Sequence, residues 1–190
     1  MKTILINGIN SKTGGGKSIL INYLKLLKNQ NENFYYFISP EDNEFKKYET
    51  SYIKLIKIPA LIIFTYYFLL KIIIKLKKID LIFNHGDLIV PTNVTQLYLF
   101  DWPYAIYPES IVWNKMDLKS KIIRKIKLFF FKKEINKPKS IICQTLTAET
   151  RIQKIYRVYN TEIVPNAVSL DNLKETNLDY NFEEIDDKNY

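Results

Sequence analysis

The chain has 190 residues, 47% of them hydrophobic and 14% aromatic, and a formal net charge of +8. That length and apolar content fit one domain with a real core and exclude a disordered chain. Its single cysteine, Cys143, excludes a disulfide framework and makes a reducing cytoplasm the expected compartment.

The first predicted strand, about 2–7, carries Ile4, Leu5 and Ile6. Asn7, Gly8 and Asn10 break the apolar run too early for a signal peptide. Gly14, Gly15 and Gly16 then lead into an amphipathic helix at about 16–29. A glycine-rich strand-to-helix turn lets backbone N–H groups approach an anionic ligand at a helix N-terminus. With Lys17 and Ser18 the segment also looks like a phosphate-binding P-loop. That motif needs Gly, four residues, then Gly-Lys-Ser/Thr, and Ser11 stands where its first glycine should be. A small P-loop-like NTPase is therefore an alternative reading.

Strands follow at about 34–38 and, less distinctly, 52–56. Ile58–Leu76 is apolar and nearly long enough to cross a bilayer, but Lys71 interrupts it. Lys71, Lys75 and Lys78 share one helical face, and Pro59 suits a first turn. A helix at about 59–77, packed on a sheet or lying at an interface, fits better than a span. The strand at about 79–84 runs into His85, the only histidine, in an Asn-His-Gly-Asp turn. Ligands bind at that edge of open α/β sheets, where His85 could act as a general base or as a hydrogen-bond donor. The strand at about 96–101 ends likewise on Asp101, with Trp102 and Tyr104 as candidate stacking surfaces for a sugar or a lipid head. Equally, Asp101 could cap the next turn while the aromatics cover the sheet edge.

The helix predicted at about 119–133 carries Ile122, Ile123, Ile126, Phe129 and Phe130 on one stripe, with Lys121, Arg124, Lys125 and Lys132 opposite. Leu128 and Phe131 fall on or beside the basic side, as expected of a helix resting on an anionic membrane surface. The other interpretation is an ordinary amphipathic helix with a solvated lysine face. The enrichment in Ile, Lys, Asn and Tyr is the bias of an AT-rich genome, so the distribution of charge says more than its total. Nine basic residues and one acid lie between Lys119 and Lys139, whereas 171–190 holds seven acids and two lysines. Nucleic-acid binding is the weaker explanation, because the basic helix carries no reading motif. A strand at about 140–144, a helix at about 146–157 capped by Thr145 or Thr147, and a strand at about 161–164 complete a domain over 1–170. The acidic tail at 171–190 is expected to be poorly ordered or weakly helical. Strands alternating with helices predict an α/β, Rossmann-like three-layer domain with a mostly parallel sheet. The lone His and Cys form no metal-ligand set, so no metal is expected.

These segments resemble successive elements of GT-B glycosyltransferases, closest to the retaining family 4 enzymes that build bacterial polysaccharides. The resemblance rests on Ile4-Leu-Ile-Asn7, Gly14-Gly-Gly-Lys17, Asp80-Leu-Ile-Phe-Asn84-His-Gly86, Leu97-Tyr-Leu-Phe-Asp101-Trp-Pro103, Ser140-Ile-Ile-Cys-Gln-Thr145 and, most specifically, Ile163-Val-Pro-Asn-Ala-Val168. It covers about residues 2–170 and implies the acceptor-binding half of such an enzyme. Gly14, Gly15, Gly16 and Lys17 would then line the cleft near the donor phosphates, Asn166 would lead toward the donor domain, and His85 or Asp101 would orient or deprotonate the acceptor hydroxyl. The implied partners are a lipid-linked or glycan acceptor, the anionic inner-membrane surface and a donor-domain subunit, in lipopolysaccharide or capsule assembly. Nothing from Ser169 to Tyr190 resembles the donor domain, so the chain alone is expected to be inactive and to need no cofactor of its own. A non-catalytic membrane-docking subunit of a two-chain transferase is the other alternative.

Overall fold

A computed structural model of the protein describes residues 1–9, 14–39, 43–58, 63–85 and 88–165. Asn166, the Gly86-Asp87 pair, Pro59 and the acidic tail lie outside the described residues. The elements are β1 (Thr3–Asn7), α1 (Gly14–Leu27), β2 (Phe34–Ser39), a 3-10 helix (Asn43–Tyr48), β3 (Ile53–Lys57), α2 (Ile63–Leu76), β4 (Leu81–His85) and β5 (Thr95–Phe100). A 3-10 turn (Pro103–Ala105), α3 (Val112–Lys115), α4 (Leu118–Glu134), β6 (Ser140–Cys143), α5 (Leu146–Tyr156) and β7 (Thr161–Ile163) follow.

The seven strands form one sheet in the order β3-β2-β1-β4-β5-β6-β7, and every pairing is parallel. Strands covered on both faces read as continuous apolar runs, as Ile4-Leu5-Ile6 and Leu81-Ile82-Phe83 do. The indistinct strand near 52–56 is β3, fixed to β2 by pairs from Tyr35–Ile53 to Ser39–Lys57. The chain builds outward from β1 to β3 and then returns to place β4 on the other side of β1. The β1–β4 seam is therefore the topological switch point of the sheet.

Three clusters make the core. Leu20, Leu24 and Leu27 of α1 pack with Ile4, Ile6, Tyr35 and Phe37, and the 3-10 helix adds Phe45 and Tyr48. Across the sheet, Leu70 and Ile74 of α2 pack with Leu5, Ile38 and Ile82. On that same side Phe131 of α4 and Ile152 of α5 join Tyr98, Phe100, Ile141 and Cys143. Helices on both faces of a parallel sheet give the expected three-layer α/β architecture. Burial pushes the Cys143 thiol up to about 11.

Two side chains cap helices, Thr145 as expected and Asp117 in addition. Thr145 starts α5 by accepting from the Ala148 N–H at 3.2 Å, and Asp117 starts α4 by accepting from the Ser120 N–H at 2.9 Å. Helix α5 ends at Arg157, which takes the left-handed conformation (φ 56°) that closes a helix.

The orientation of α4 corrects the expectation. Phe131 is fully buried and Leu128 packs against the same cluster, so neither is a surface residue. Arg124, expected on the basic, membrane-contact side, lays its guanidinium 4.6 Å from the centre of the Tyr104 ring. Ile122, Ile123, Ile126 and Phe129 are the exposed residues instead. The buried stripe runs on to Ile135, one residue past Glu134, and this extra anchor decides which of two apolar stripes meets the sheet. Lys125 and Lys132 remain exposed, and Lys121 is half-buried.

Among the described residues no helix is long and apolar enough to cross a membrane. In α2, Tyr67, Leu70 and Ile74 face the core while Lys71 and Lys75 are exposed, as the lysine spacing implied.

Candidate functional site

The carboxyl ends of the strands gather the polar residues. Asn7 ends β1 and Asn84 stands beside it in register on β4. The Asn7 Nδ2 donates to the Asn84 Oδ1 at 2.6 Å, and the Asn84 Nδ2 donates to the Leu88 carbonyl at 2.7 Å. Both asparagines are buried, at 2% and 0% exposure, so this bond ties the switch-point strands together where no water competes. The next segment is braced by Gln96, whose side chain accepts from the Val90 N–H at 3.1 Å and donates to the Val90 carbonyl at 3.2 Å.

Gly8 follows Asn7 in a tight gap. A Cβ there would stand 2.4 Å from Leu20 Cδ2 and 2.8 Å from Phe37 Cε2, so only glycine lets α1 sit this close to the sheet. Gly14, Gly15 and Gly16 are not a loop: they form the first turn of α1. A Cβ on Gly15 would meet nothing within 4 Å. Lys17 is held by Glu44 of the 3-10 helix at 2.7 Å, with its ammonium 5.9 Å from the Phe45 ring centre. It thus ties α1 to the 3-10 helix, a different task from that of a P-loop lysine.

His85 ends β4, paired in register with Leu99. It is 2% exposed, and loss of hydration lowers its pKa to about 4. The ring is therefore neutral at pH 7 and ill-matched to general-base work there, which favours an orienting hydrogen-bonding role. Asp101, by contrast, is exposed just beyond β5. It borders a depression of about 230 Å³ whose walls include Phe100, Trp102, Ile106, Tyr107 and Gln144.

The aromatic expectations need correction. Trp102 is 5% exposed and packs edge-on to Phe131, so it is a core residue that lends only an edge to the depression. Tyr104 is half-buried beneath Arg124 and against Trp113, whose ring centre lies 5.7 Å away. Neither offers a free ring face for stacking.

Arg151 was not anticipated. From α5 it donates to the Ile106 carbonyl at 2.8 Å and to Glu109 at 2.6 Å, with its guanidinium 4.1 Å from the Tyr107 ring centre. The Tyr156 hydroxyl donates to the Ala105 carbonyl at 2.6 Å. Together they clamp the 105–109 segment onto α5. A second depression, of about 590 Å³, opens between Glu109 and the Thr147, Thr150, Arg151 and Lys154 side of that helix. The sequence signal available was the repeat of three apolar residues and Asn in Ile4–Asn7 and Leu81–Asn84, which marks the switch-point pair. Nothing comparable marked Arg151.

No family model matches the chain, and no curated protein matches it. Among solved structures it is similar to Anabaena HepE in complex with UDP-glucose, with a TM-score of 0.58 and 15% identity. The superposition covers 90% of this chain and 45% of HepE, so the chain spans about half the length of that protein. At this identity the likeness establishes the fold.

Proposed function

We propose that this chain is the acceptor-side half of a GT-B, family 4-like glycosyltransferase. In this reading it acts at the cytoplasmic face of the inner membrane, on a membrane-attached glycan of lipopolysaccharide or capsule assembly. The observation that carries the reading is the coincidence of fold and edge. A seven-stranded parallel sheet similar to about half of HepE opens its carboxyl edge at a β1–β4 switch point, where Asn7 bonds to Asn84 and Gly8 follows β1. The HepE structure contains a nucleotide sugar, which supports this substrate class here.

Asp101 is an exposed carboxylate at that edge and is assigned as the acceptor of the hydroxyl proton. The freed oxygen pair bonds to the anomeric carbon of the sugar, and the nucleoside diphosphate leaves with the electrons of the broken bond. Neutral His85 holds the β4 end and orients polar groups rather than removing the proton. Gly15, open to solvent, leaves room for a donor phosphate beside the first turn of α1. The positive charge that stabilises the leaving diphosphate comes from a second α/β half, so this half alone is inactive.

Isotope-edited NMR titrations test the reading. Lipid-linked glycan acceptors are expected to shift the amides of Gly8, Gly15, Asp101 and Gln144, with UDP-glucose alone acting weakly. If only ATP shifts the α1 amides, and its hydrolysis is lost in Lys17→Ala, the NTPase reading replaces this one. The exposed apolar-basic sides of α2 and α4 favour the second reading, a non-catalytic docking subunit. Its signature is binding to vesicles with no response to any acceptor or nucleotide sugar.

A further inference from the structure

The depression of about 590 Å³ beside α5 takes no part in the proposed transfer chemistry. Thr147, Thr150, Arg151 and Lys154 line it at three- and four-residue steps, so one face of the helix supplies all four. Glu109 lines it from the segment that Arg151 clamps. A volume of this size is typical of small-molecule sites and far exceeds what a bare ion fills.

Arg151 is only partly committed. Its bonds to the Ile106 carbonyl and to Glu109 both leave from Nη1. Three of its five N–H groups therefore have no partner among the described residues, and its side chain is 36% exposed. Lys154, three residues further along α5, is exposed, and its ammonium has no ion pair or hydrogen bond among the described residues. The Thr147 hydroxyl is unbonded in the same sense. The Thr150 hydroxyl donates to the Leu146 carbonyl at 2.9 Å and keeps lone pairs to offer. Two cations against the one carboxylate of Glu109 leave a single positive charge, which suits a monoanion. A phosphate dianion would exceed that charge and press against Glu109. Pro108, Leu146 and Ile155 supply apolar lining, the latter two at 66% and 41% exposure.

We infer that this depression is a second binding site, separate from the β1–β4 edge, for a polyhydroxylated carboxylate of the sugar-acid class. The ligand carboxylate bridges the Lys154 ammonium and the uncommitted N–H groups of Arg151, as charge-assisted bonds. Its hydroxyls exchange hydrogen bonds with Thr147 and Thr150, and its C–H surface lies against Pro108, Leu146 and Ile155. A fatty acid would leave the threonines unused, and a neutral sugar would leave Lys154 without a counter-charge. Occupancy is felt beyond the depression, because Arg151 also holds Ile106, which borders the smaller depression beside Asp101. The inference goes beyond the transferase reading and stands without it.

Isotope-edited NMR titration with D-glucuronate tests it, against D-glucose, acetate and inorganic phosphate. Glucuronate is expected to shift the Thr147, Thr150, Arg151 and Lys154 amides saturably, with a Kd on the order of 1 mM, and to move the Ile106 and Tyr107 amides with them. Glucose, acetate and phosphate should each bind at least about tenfold more weakly. Lys154→Gln should weaken glucuronate binding about tenfold or more. Thr147→Val should weaken it about threefold and leave acetate unchanged. Lys125→Gln, at an exposed position on α4, should bind like the parent. The same spectra confirm that each variant is folded. Absence of saturable shifts up to about 50 mM glucuronate overturns the inference. So does glucose matching glucuronate, or acetate or phosphate matching it, which would reduce the site to general attraction for anions. Unchanged affinity in Lys154→Gln, or an equal loss in Lys125→Gln, overturns it as well. The Gly8 and Gly15 amides, which report the proposed acceptor edge, should stay still, so this site and the transfer site fail separately.

Discussion

The Asn7 Nδ2 donates a 2.6 Å hydrogen bond to the Asn84 Oδ1, joining the carboxyl ends of β1 and β4 at the point where the sheet reverses its direction of growth. Asn84 spends its amide on the Leu88 carbonyl, so one side chain holds both a neighbouring strand and the segment that follows its own. The Asn84→Ala substitution strands a buried donor and a buried acceptor at once. A loss of about 1–3 kcal/mol is expected in urea denaturation. Asn84→Asp should cost at least as much, because it buries a carboxylate beside a carbonyl. A loss below about 0.5 kcal/mol in Asn84→Ala would show that the bond is not what fixes the switch point.

His85 makes stability depend on pH. Its folded pKa, about 4, lies below the usual 6.5. Between those values the unfolded chain binds a proton that the folded chain does not. Stability from this group is therefore complete above about pH 6.5 and is lost as pH falls toward 4, by up to about 3 kcal/mol. Since His85 is the only histidine, its ring resonances can be followed without ambiguity. A midpoint near 6.5 in the native protein would contradict the burial argument, and His85→Gln should flatten the slope.

Two glycines should respond in opposite directions. Gly8→Ala forces a Cβ into Leu20 and Phe37 and should destabilise by about 1–3 kcal/mol. Gly15→Ala enters open space in the first turn of α1 and should raise stability by up to about 1 kcal/mol. If the donor phosphate approaches there, Gly15→Ala should also weaken transfer in the completed enzyme while the fold gains. Thermal melts and transfer rates on the same variants separate the two effects.

Lys17→Ala removes the partner of Glu44, a pair whose side chains are 24% and 39% exposed. The expected cost is below about 1 kcal/mol. No change in sugar transfer is expected, since the ammonium is committed to the 3-10 helix. A transfer rate reduced a hundredfold or so, about 2.7 kcal/mol of transition-state stabilisation, would reassign Lys17 to the phosphates.

Arg151→Ala should release the 105–109 segment from α5, because it removes the bonds to Ile106 and Glu109 and uncovers Tyr107. Faster amide exchange confined to 105–110 is the expected readout. Arg151→Lys should recover little, since a single ammonium does not reproduce a planar fork stacked on a ring.

Much of the fold could be read along the chain because parallel strands advertise themselves as short apolar runs. Leu81–Phe83, Leu97–Phe100 and Ser140–Cys143 all fell where the alternation with helices placed them. What resisted reading was direction. Helix α4 has two apolar stripes, and periodicity records their spacing without saying which meets the sheet. Ile135, just past the helix, settles the matter by extending the Leu128–Phe131 side into the core. Likewise, three glycines in a row suggested a loose turn, yet they begin α1, since Gly8 and not the triplet accommodates the close approach. His85 and Asp101 stand at the strand ends where the sequence placed them. Their contrast in burial comes from neighbours distant in sequence, which no local pattern contains.

Cys143 gives the molecule a built-in clock. Its thiol is fully buried in β6 among Tyr98, Phe131 and Ile152, and burial holds it at about 11. A thiol reagent added to native protein has to wait for the sheet to part from α4 and α5, so the labelling rate counts openings of that half of the core. In the docking-subunit reading α4 presents its other side to the bilayer, so vesicles that hold the helix in place should slow the same clock. One unpaired sulfur atom thereby reports, from inside the protein, what happens on its outer face.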